Sequence, residues 1–225
     1  MLIGEQALNT LNKKKVALFG VGGVGSYAAE ALARAGVGEI ELIDNDTVSV
    51  TNINRQLCAL TSTVGQLKVE VVAARLRDIN PDIRVTARSE FFLPDNADSF
   101  DFSSYDFVID AIDTVSAKVE IAVRCAALGV PMISAMGTGN KLCPDKLRIS
   151  DLAKTQGCPL ARVMRRELKK RGITHLPVVY SEEAPITPLF YPDGESRTPA
   201  SISFVPSVAG LYCASAAIKS LISQS

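Results

Sequence analysis

The chain has 225 residues, of which 47% are hydrophobic and 21% are charged. This composition is typical of a folded globular protein and excludes a disordered chain. The formal net charge is zero, which excludes a general attraction to nucleic acid, so any such contact must come from a local basic patch. The length suits one α/β domain with an appended region, and we treat residues 1–225 as a single domain.

A glycine-rich turn follows the first predicted strand, near residues 16–20, and leads into a helix predicted near residues 22–36. The segment GVGGVGS fits the pattern G-x-G-x-x-G. Glycine permits the tight turn and lets a phosphate approach the main chain, while the helix directs free N–H groups at the anion. The pattern predicts a nucleotide-binding βαβ unit. Its glycines are Gly20, Gly22, Gly23 and Gly25.

An acidic residue ends the second predicted strand, near residues 39–44. Asp44 lies nineteen residues after Gly25, where a carboxylate can accept hydrogen bonds from ribose hydroxyls. The turn and this acid together predict a bound nucleotide, but they do not distinguish NAD from ATP.

The following segment, from Asp46 to Lys68, favours a triphosphate. It contains the run TNINRQ, in which Asn52 and Arg55 can share a helix face at spacing i, i+3. Lys68 lies in an apolar-periodic stretch that predicts a helix near residues 64–80. An arginine and a lysine beside a nucleotide can neutralise the charge that builds on a pyrophosphate leaving group. Taken singly, either residue would be read as an ordinary solvated charge.

Strands and helices continue to alternate, which predicts a Rossmann-like, doubly wound α/β fold with a mostly parallel sheet and helices on both faces. Asp113 follows the apolar run FVIDAI and is therefore expected at the carboxyl edge of the sheet, where such sheets bind ligands. It also suits the N-cap of the next helix, and Asp110 ranks below it as a functional acid. The elements behind this prediction are strands near 83–87, 106–110 and 131–134 and a helix near 114–129.

Residues 1–134 form the predicted nucleotide half, and residues 135–225 form a second half for the substrate and for dimer contacts. Two strands are expected in the second half, near 146–150 and 176–180. The proline-rich stretch 181–200 predicts a loop that either closes over the substrate or serves as a linker.

The stretch 198–218 carries no charge and is long enough to span a membrane. Because Pro199 and Pro206 interrupt it and small side chains are plentiful, residues 207–223 are predicted to form a buried helix without membrane contact. Upstream, residues 162–171 read RVMRRELKKR and predict a basic helix whose charged face is either solvated or contacts RNA phosphates.

These motifs resemble the ThiF/MoeB/HesA superfamily, the relatives of ubiquitin-activating enzymes. The resemblance extends from about Leu2 to the C-terminus and implies adenylation of a carboxylate with ATP and Mg²⁺, with release of pyrophosphate. The glycine turn would cradle phosphate, Asp44 would hold the ribose, and Asp113 would be associated with the metal. The motifs that carry it are GVGGVGS, Asp44, TNINRQ, Lys68 and VIDAIDT.

The resemblance also implies roles for individual side chains. Asn52, Arg55 and Gln56 would contact or orient the ATP phosphates, and Lys68 would stabilise the transition state. The candidate catalytic residues are therefore Arg55, Lys68 and Asp113, with Asp113 as the candidate metal ligand. The candidate nucleotide contacts are Gly20, Gly22, Gly23, Gly25, Asp44, Asp46, Asn52, Asn54, Arg55, Gln56 and Lys68.

Segments outside the ATP core resemble the branch of the superfamily that dehydrates threonylcarbamoyladenosine in tRNA. That branch activates the threonyl carboxylate of the modified adenosine beside the anticodon of ANN-decoding tRNAs. The carbamoyl oxygen then attacks the acyl adenylate, AMP leaves, and a ring forms with net loss of water. This chemistry needs proximity and charge stabilisation rather than a protein nucleophile. The segments are LIGEQAL, ISAMGTGNKLCPDKLRISDLAKTQGCPLARVMRRELKKRGI, PVVYSEEAP and SISFVPSVAGL.

The five cysteines form no C-x-x-C pair, which argues against the four-cysteine zinc site that many sulphur-carrier activators of the superfamily contain. Cys158 is expected to be a buried thiol rather than a catalytic one, and the lone His175 a surface or linker histidine. An odd number of cysteines without a secretion signal predicts a reducing, cytoplasmic location.

Two alternatives stay open: an adenylyltransferase that activates the C-terminal Gly-Gly of a ubiquitin-like sulphur carrier, and an NAD(P)-binding module. The resemblance further implies a homodimer and allows a sulphur-transfer protein as partner. It also implies an arginine upstream of the L-I-G motif that reaches the partner subunit's ATP site. The first basic residue here is Lys13, so the source of that arginine stays open.

Overall fold

The structure is a computed structural model that describes residues 2–189 and 199–223. Its centre is a seven-stranded sheet in the order β3-β2-β1-β4-β5-β7-β6, with all neighbours parallel except β6 and β7. This confirms the predicted α/β fold, and each strand lies within one residue of its expected place. The strands are β1 Lys15–Phe19, β2 Glu39–Ile43, β3 Arg84–Arg88, β4 Phe107–Asp110, β5 Met132–Ala135, β6 Leu147–Asp151 and β7 Pro177–Ser181.

Within the described part of the chain six helices cover the sheet, and one of them, α1, was not predicted. The predicted helix 22–36 begins later because the glycine turn occupies its first residues. The predicted helix 64–80 begins at Lys68, after a short 3-10 helix and a turn. The helices are α1 Gly4–Leu11, α2 Gly25–Ala35, α3 Lys68–Ile79, α4 Val115–Leu128, α5 Pro159–Lys169 and α6 Phe204–Ser223.

Alternate residues of each strand face opposite helical layers, as the pleat requires. Val16 and Leu18 of β1 pack in the core formed with α1, α2, α3 and α6. Ala17 and Phe19 pack in the core formed with α4 and α5, where Phe19 meets the aromatic rings of the segment between β3 and β4. Helices therefore cover both faces, as the alternation of strands and helices predicts.

Helix α6 is long and apolar enough to cross a membrane by length and composition. It packs as a core helix against α2 and the sheet, and Pro206 lies in its first turn, where a missing N–H is tolerated. The helix therefore starts three residues before its predicted position and is buried, as expected. Its buried residues recur at helical spacing: Val205, Pro206, Ala209, Gly210, Cys213, Ala214, Ala217 and Leu221.

The predicted loop 181–200 is described only in part. Strand β7 includes Ser181, and residues 182–189 and 199–200 form no helix or strand. Residues 190–198 lie outside the described residues, so the prediction for them stays a prediction.

The order in which the chain adds strands to the sheet reverses at β1. From β1 the chain proceeds to β2 and β3 on one side, and then returns to β4 on the other side. In open α/β sheets this point leaves a crevice at the carboxyl ends of the two central strands, and ligands bind there. The topology therefore places a binding site beside Gly20, after β1, and Ala111, after β4.

Candidate active site

A cavity of about 990 Å³ opens at the carboxyl ends of the central strands. We call its lining residues from Phe19 to Thr114 the nucleotide wall and those from Ala135 to Pro206 the second wall. The two walls meet where Pro206 lies beside Gly23. Most of the candidate site residues therefore come together, whereas Gly25 and Asn54 are not part of the lining. The candidates in the lining are Gly20, Gly22, Gly23, Asp44, Asp46, Asn52, Arg55, Gln56, Lys68 and Asp113.

Two glycines of the turn are required by packing. Gly20 has φ 87°, and a Cβ there would lie 2.8 Å from the carbonyl oxygen of Ala111. A Cβ on Gly25 would collide with the carbonyl oxygen of Gly20. These contacts hold the turn against β4, so that Gly22 and Gly23 present the main chain to the cavity just before α2 begins. A helix N-terminus in this position favours an anion.

Asp44 fixes the glycine turn to the end of β2. Its Oδ2 accepts a hydrogen bond from Val21 N at 2.7 Å, and its Oδ1 accepts one from Asp46 N at 2.8 Å. Each carboxylate oxygen can accept a second hydrogen bond, so the group can also receive a ribose hydroxyl. The predicted ribose contact therefore fits the geometry and stays a prediction.

Asp44→Ala is expected to weaken ATP binding about 10- to 100-fold, because it removes a charge-assisted acceptor and frees the glycine turn. Isothermal titration calorimetry with ATP measures the change. Asp82→Ala is the matched control, since Asp82 is an exposed acid outside the cavity lining. Equal ATP affinity of the two variants would contradict the assignment of Asp44.

Arg55 is held in place before any ligand arrives. Its Nη1 donates to Thr51 O at 3.0 Å and to Asn54 Oδ1 at 2.9 Å. Asn54 in turn donates from Nδ2 to Ser201 O, which ties the segment to the second half of the chain. Asn52 and Arg55 both line the cavity, as expected, whereas Asn54 positions the arginine from outside the lining. A fixed guanidinium suits a phosphate group.

Lys68 is the first residue of α3 and is almost fully buried. Its Nζ lies 2.7 Å from Asp46 Oδ2, and its backbone N–H donates to Asp46 O at 3.0 Å. The side chain of Asp46 is 60% exposed, so water screens part of this pair. Asp46 therefore holds the lysine at the cavity, a role that the sequence pattern did not reveal.

Asp113 is exposed, follows β4 and lines the cavity, as the sequence predicts for a residue at the carboxyl edge. The alternative reading as a helix N-cap is wrong, because Thr114 occupies the N-cap position of α4. Within residues 2–189 and 199–223, no group of three or more His, Cys, Asp or Glu side chains could hold a metal ion. Asp113 would offer a cation one carboxylate.

A buried ion pair of Lys118 and Asp110 lies next to the cavity lining. The sequence analysis considered Asp110 but not Lys118. Lys118 Nζ lies 2.8 Å from Asp110 Oδ2, and both side chains are fully buried. The same Nζ donates to Ile112 O and Ala135 O, and Ser134 donates to Asp110. The lysine thus joins the carboxyl ends of β4 and β5. The available signal was a lysine on the apolar face of the helix VSAKVEIAV.

Cys158 is buried and His175 is exposed, as predicted, while the prediction that neither is catalytic stays a prediction. Cys158 is buried in the second wall, at the N-cap of α5. His175 is exposed, with Nδ1 3.1 Å from Asp151 Oδ2. Burial raises the pKa of the thiols of Cys125 and Cys213 to about 12. These two cysteines are therefore inert packing residues.

Helix α5 carries the basic run, but several of its charges already have partners. Arg165 points inward, donating from Nη1 to Leu152 O and to Thr155. Glu167 pairs with Arg166, Lys170 and Arg171. These contacts support the interpretation of a solvated helix face, and the alternative contact with RNA phosphates stays a prediction.

The topology, the glycine turn and the fixed cations define a nucleotide-binding α/β protein of Rossmann type. The ThiF family model matches residues 1–225, and the chain belongs to this family.

Named relatives refine this assignment. The chain is 44% identical over 223 residues to the tRNA threonylcarbamoyladenosine dehydratase of Bacillus subtilis (strain 168). The alignment covers 94% of this chain and 88% of the relative. The structure of this chain resembles a crystal structure of the E. coli tRNA N6-threonylcarbamoyladenosine dehydratase in complex with AMP, with a TM-score of 0.91 and 38% sequence identity. The comparison covers 99% of this chain and 92% of that chain. The same E. coli enzyme in complex with ATP has a TM-score of 0.90 and 38% identity over 99% of this chain and 91% of that chain.

Proposed function

We propose that the chain is an ATP-dependent dehydratase that cyclises threonylcarbamoyladenosine in tRNA. The observation that carries the proposal is the likeness to the ATP-bound E. coli dehydratase over 99% of the chain. The nucleotide wall supports it, because a glycine turn, an acid, an arginine and a lysine face one cavity there.

The reaction has two steps. The threonyl carboxylate attacks the α-phosphate of ATP, which gives an acyl adenylate and pyrophosphate. The carbamoyl oxygen then attacks the acyl carbon, AMP leaves, and a carbamoyl N–H loses its proton, so that the nucleoside loses one water in total. Arg55 and Lys68 would balance the charge on the departing pyrophosphate, and Asp44 would orient the ribose.

Asp113 fits a magnesium ion. Magnesium in nucleotide enzymes is held by one or two carboxylates together with substrate phosphates and water. Asp113 offers one exposed carboxylate in the nucleotide wall of the cavity. When bound there, the ion would neutralise phosphate charge during adenylation.

The relatives favour the dehydratase over the adenylyltransferase for a sulphur carrier, and the lack of C-x-x-C pairs agrees with this choice. The ATP complex of the E. coli enzyme supports ATP rather than NAD(P) as the nucleotide. The experiment below therefore tests the dehydratase against the adenylyltransferase that would activate a ubiquitin-like protein.

We keep the homodimer, the cytoplasmic location and a sulphur-transfer partner as proposals. Exposed apolar side chains of the second half, Leu142, Ile149 and Leu211, suit an interface with a second copy. The source of the cross-subunit arginine stays open. Because β6 and β7 extend the same sheet, we propose that residues 1–225 act as one domain.

Mass analysis of nucleosides tests the function. tRNA carrying threonylcarbamoyladenosine is incubated with the protein, ATP and Mg²⁺ and digested under mild conditions. We expect a nucleoside lighter by one water, which is absent without ATP. An unchanged nucleoside, together with pyrophosphate exchange that depends on a carrier protein ending in Gly-Gly, would overturn the proposal and favour the adenylyltransferase.

A further inference from the structure

The two walls of the cavity differ in charge. The nucleotide wall contains six charged side chains, whereas the described part of the second wall contains a single one, Lys141. The other described residues of that wall are apolar or neutral, among them Met136, Thr138 and Cys158. A negatively charged group entering the second wall would therefore meet one cation. The charged residues of the nucleotide wall are Asp44, Asp46, Arg55, Lys68, Glu90 and Asp113.

Lys141 is buried without a carboxylate partner among the described residues. Only 4% of the residue is exposed, and its Nζ donates to the backbone oxygen of Glu183. The carboxylate of Glu183 is occupied elsewhere, accepting from Leu142 N at 2.9 Å and from Cys143 N at 2.9 Å. An ammonium group has three donors, and the nearby carboxylate of Glu183 attracts Lys141 without forming a direct ion pair with it. The position is therefore suited to an anionic ligand.

The electrostatic environment of Lys141 also suits an anionic ligand. Burial lowers the pKa of Lys141 below its ordinary value, while Cys158 and Glu183 act in the opposite direction. An anion in contact with Nζ would stabilise the ammonium form. Lys68 pairs directly with the carboxylate of Asp46, whereas the described contact of Lys141 Nζ is with the backbone oxygen of Glu183.

The segment that carries Lys141 is fixed on both sides. Asn140 adopts φ 57°, and its backbone N–H donates to Ala200 O at 2.6 Å. Its side-chain Oδ1 accepts from Ala200 N, and its backbone oxygen accepts from Ile186 N. Because this residue joins three segments of the chain, Lys141 is positioned before substrate binds.

We propose that Lys141 binds the threonyl carboxylate of the substrate before adenylation. This inference rests on the proposed function, in which ATP lies against the nucleotide wall and the modified nucleoside approaches along the second wall. The threonyl carboxylate is the one negative charge of the modification itself. Lys141 then distinguishes tRNA with the threonylcarbamoyl group from tRNA without it.

Binding measurements test this role independently of turnover. The protein is titrated with tRNA carrying threonylcarbamoyladenosine and with the same tRNA lacking the modification, in the presence of a non-hydrolysable ATP analogue. We expect the wild type to bind the modified tRNA about 10- to 100-fold more tightly, as is typical of a hydrogen-bonded charge pair. Lys141→Met should lose this preference, and Lys141→Arg should keep part of it.

Lys146→Met is the matched control, because Lys146 is an exposed lysine five residues away and is not in the cavity lining. It should keep the full preference, and all variants should bind the ATP analogue equally. Equal binding of the two tRNAs by the wild type, or a preserved preference in Lys141→Met, would overturn the role of Lys141. A wild type that prefers modified tRNA but never dehydrates it would instead refute the proposed function and leave the carboxylate site standing.

Discussion

Lys68→Ala is expected to lower kcat for dehydration about 10²- to 10³-fold, which corresponds to about 3–4 kcal/mol of transition-state stabilisation. The ammonium is buried at the start of α3 and faces the cavity, where it can meet the charge that develops on pyrophosphate. Release of AMP during single turnover with modified tRNA measures the rate of the chemical steps.

The fold should survive this substitution, because the partner that remains, Asp46, is largely exposed to water. Lys13→Ala provides the control, since Lys13 is exposed and lies outside the cavity lining. If Lys68→Ala turned over at the rate of that control, Lys68 would have no part in stabilising the transition state.

Lys118→Met is expected to lower the free energy of unfolding by about 3–5 kcal/mol, because Asp110 would keep a buried charge without its partner. Lys118 and Asp110 are both fully buried, and Lys118 also holds the carbonyl groups at the ends of β4 and β5. Urea denaturation followed by circular dichroism measures the loss.

Two further variants separate this pair from ordinary surface charges. The double variant Lys118→Met, Asp110→Asn should recover part of the stability, since it removes the uncompensated charge. Lys170→Met removes an exposed partner of Glu167 and should cost less than about 1 kcal/mol. A loss in Lys118→Met no larger than that in Lys170→Met would contradict the importance of the buried pair.

Much of the fold could be predicted from the sequence, because its strands are short apolar runs separated by helical periodicity. The nucleotide wall was also predictable, since Gly20 to Lys68 is one continuous stretch in which each strand ends at the same edge. Helix α1 was missed. The predicted starts of α2 and α3 were early, because the glycine turn precedes α2, and a turn that ends in a bridge between Leu67 and Thr47 precedes α3.

Roles that depend on tertiary partners could not be predicted. Lys118 and Lys141 are buried, and only the fold brings Asp110 or the carbonyl group of Glu183 beside them. The contact of Asn54 with the nucleotide stays a prediction, and the structure adds a hydrogen bond to Ser201, 147 residues further along the chain. The local pattern gave no sign of the contact between Asn54 and Ser201, whereas the burial of Lys118 was indicated by its place on the apolar face of α4.

The packing of α6 on α2 has a consequence for protein synthesis. Helix α2 follows the glycine turn near the start of the chain, whereas the helix that covers it emerges from the ribosome only well after β5. Domains begin to fold from the N-terminal side during translation. A nascent chain that has completed β5 therefore still exposes the apolar side of α2, and a chaperone that binds such surfaces has time to act before the nucleotide site matures.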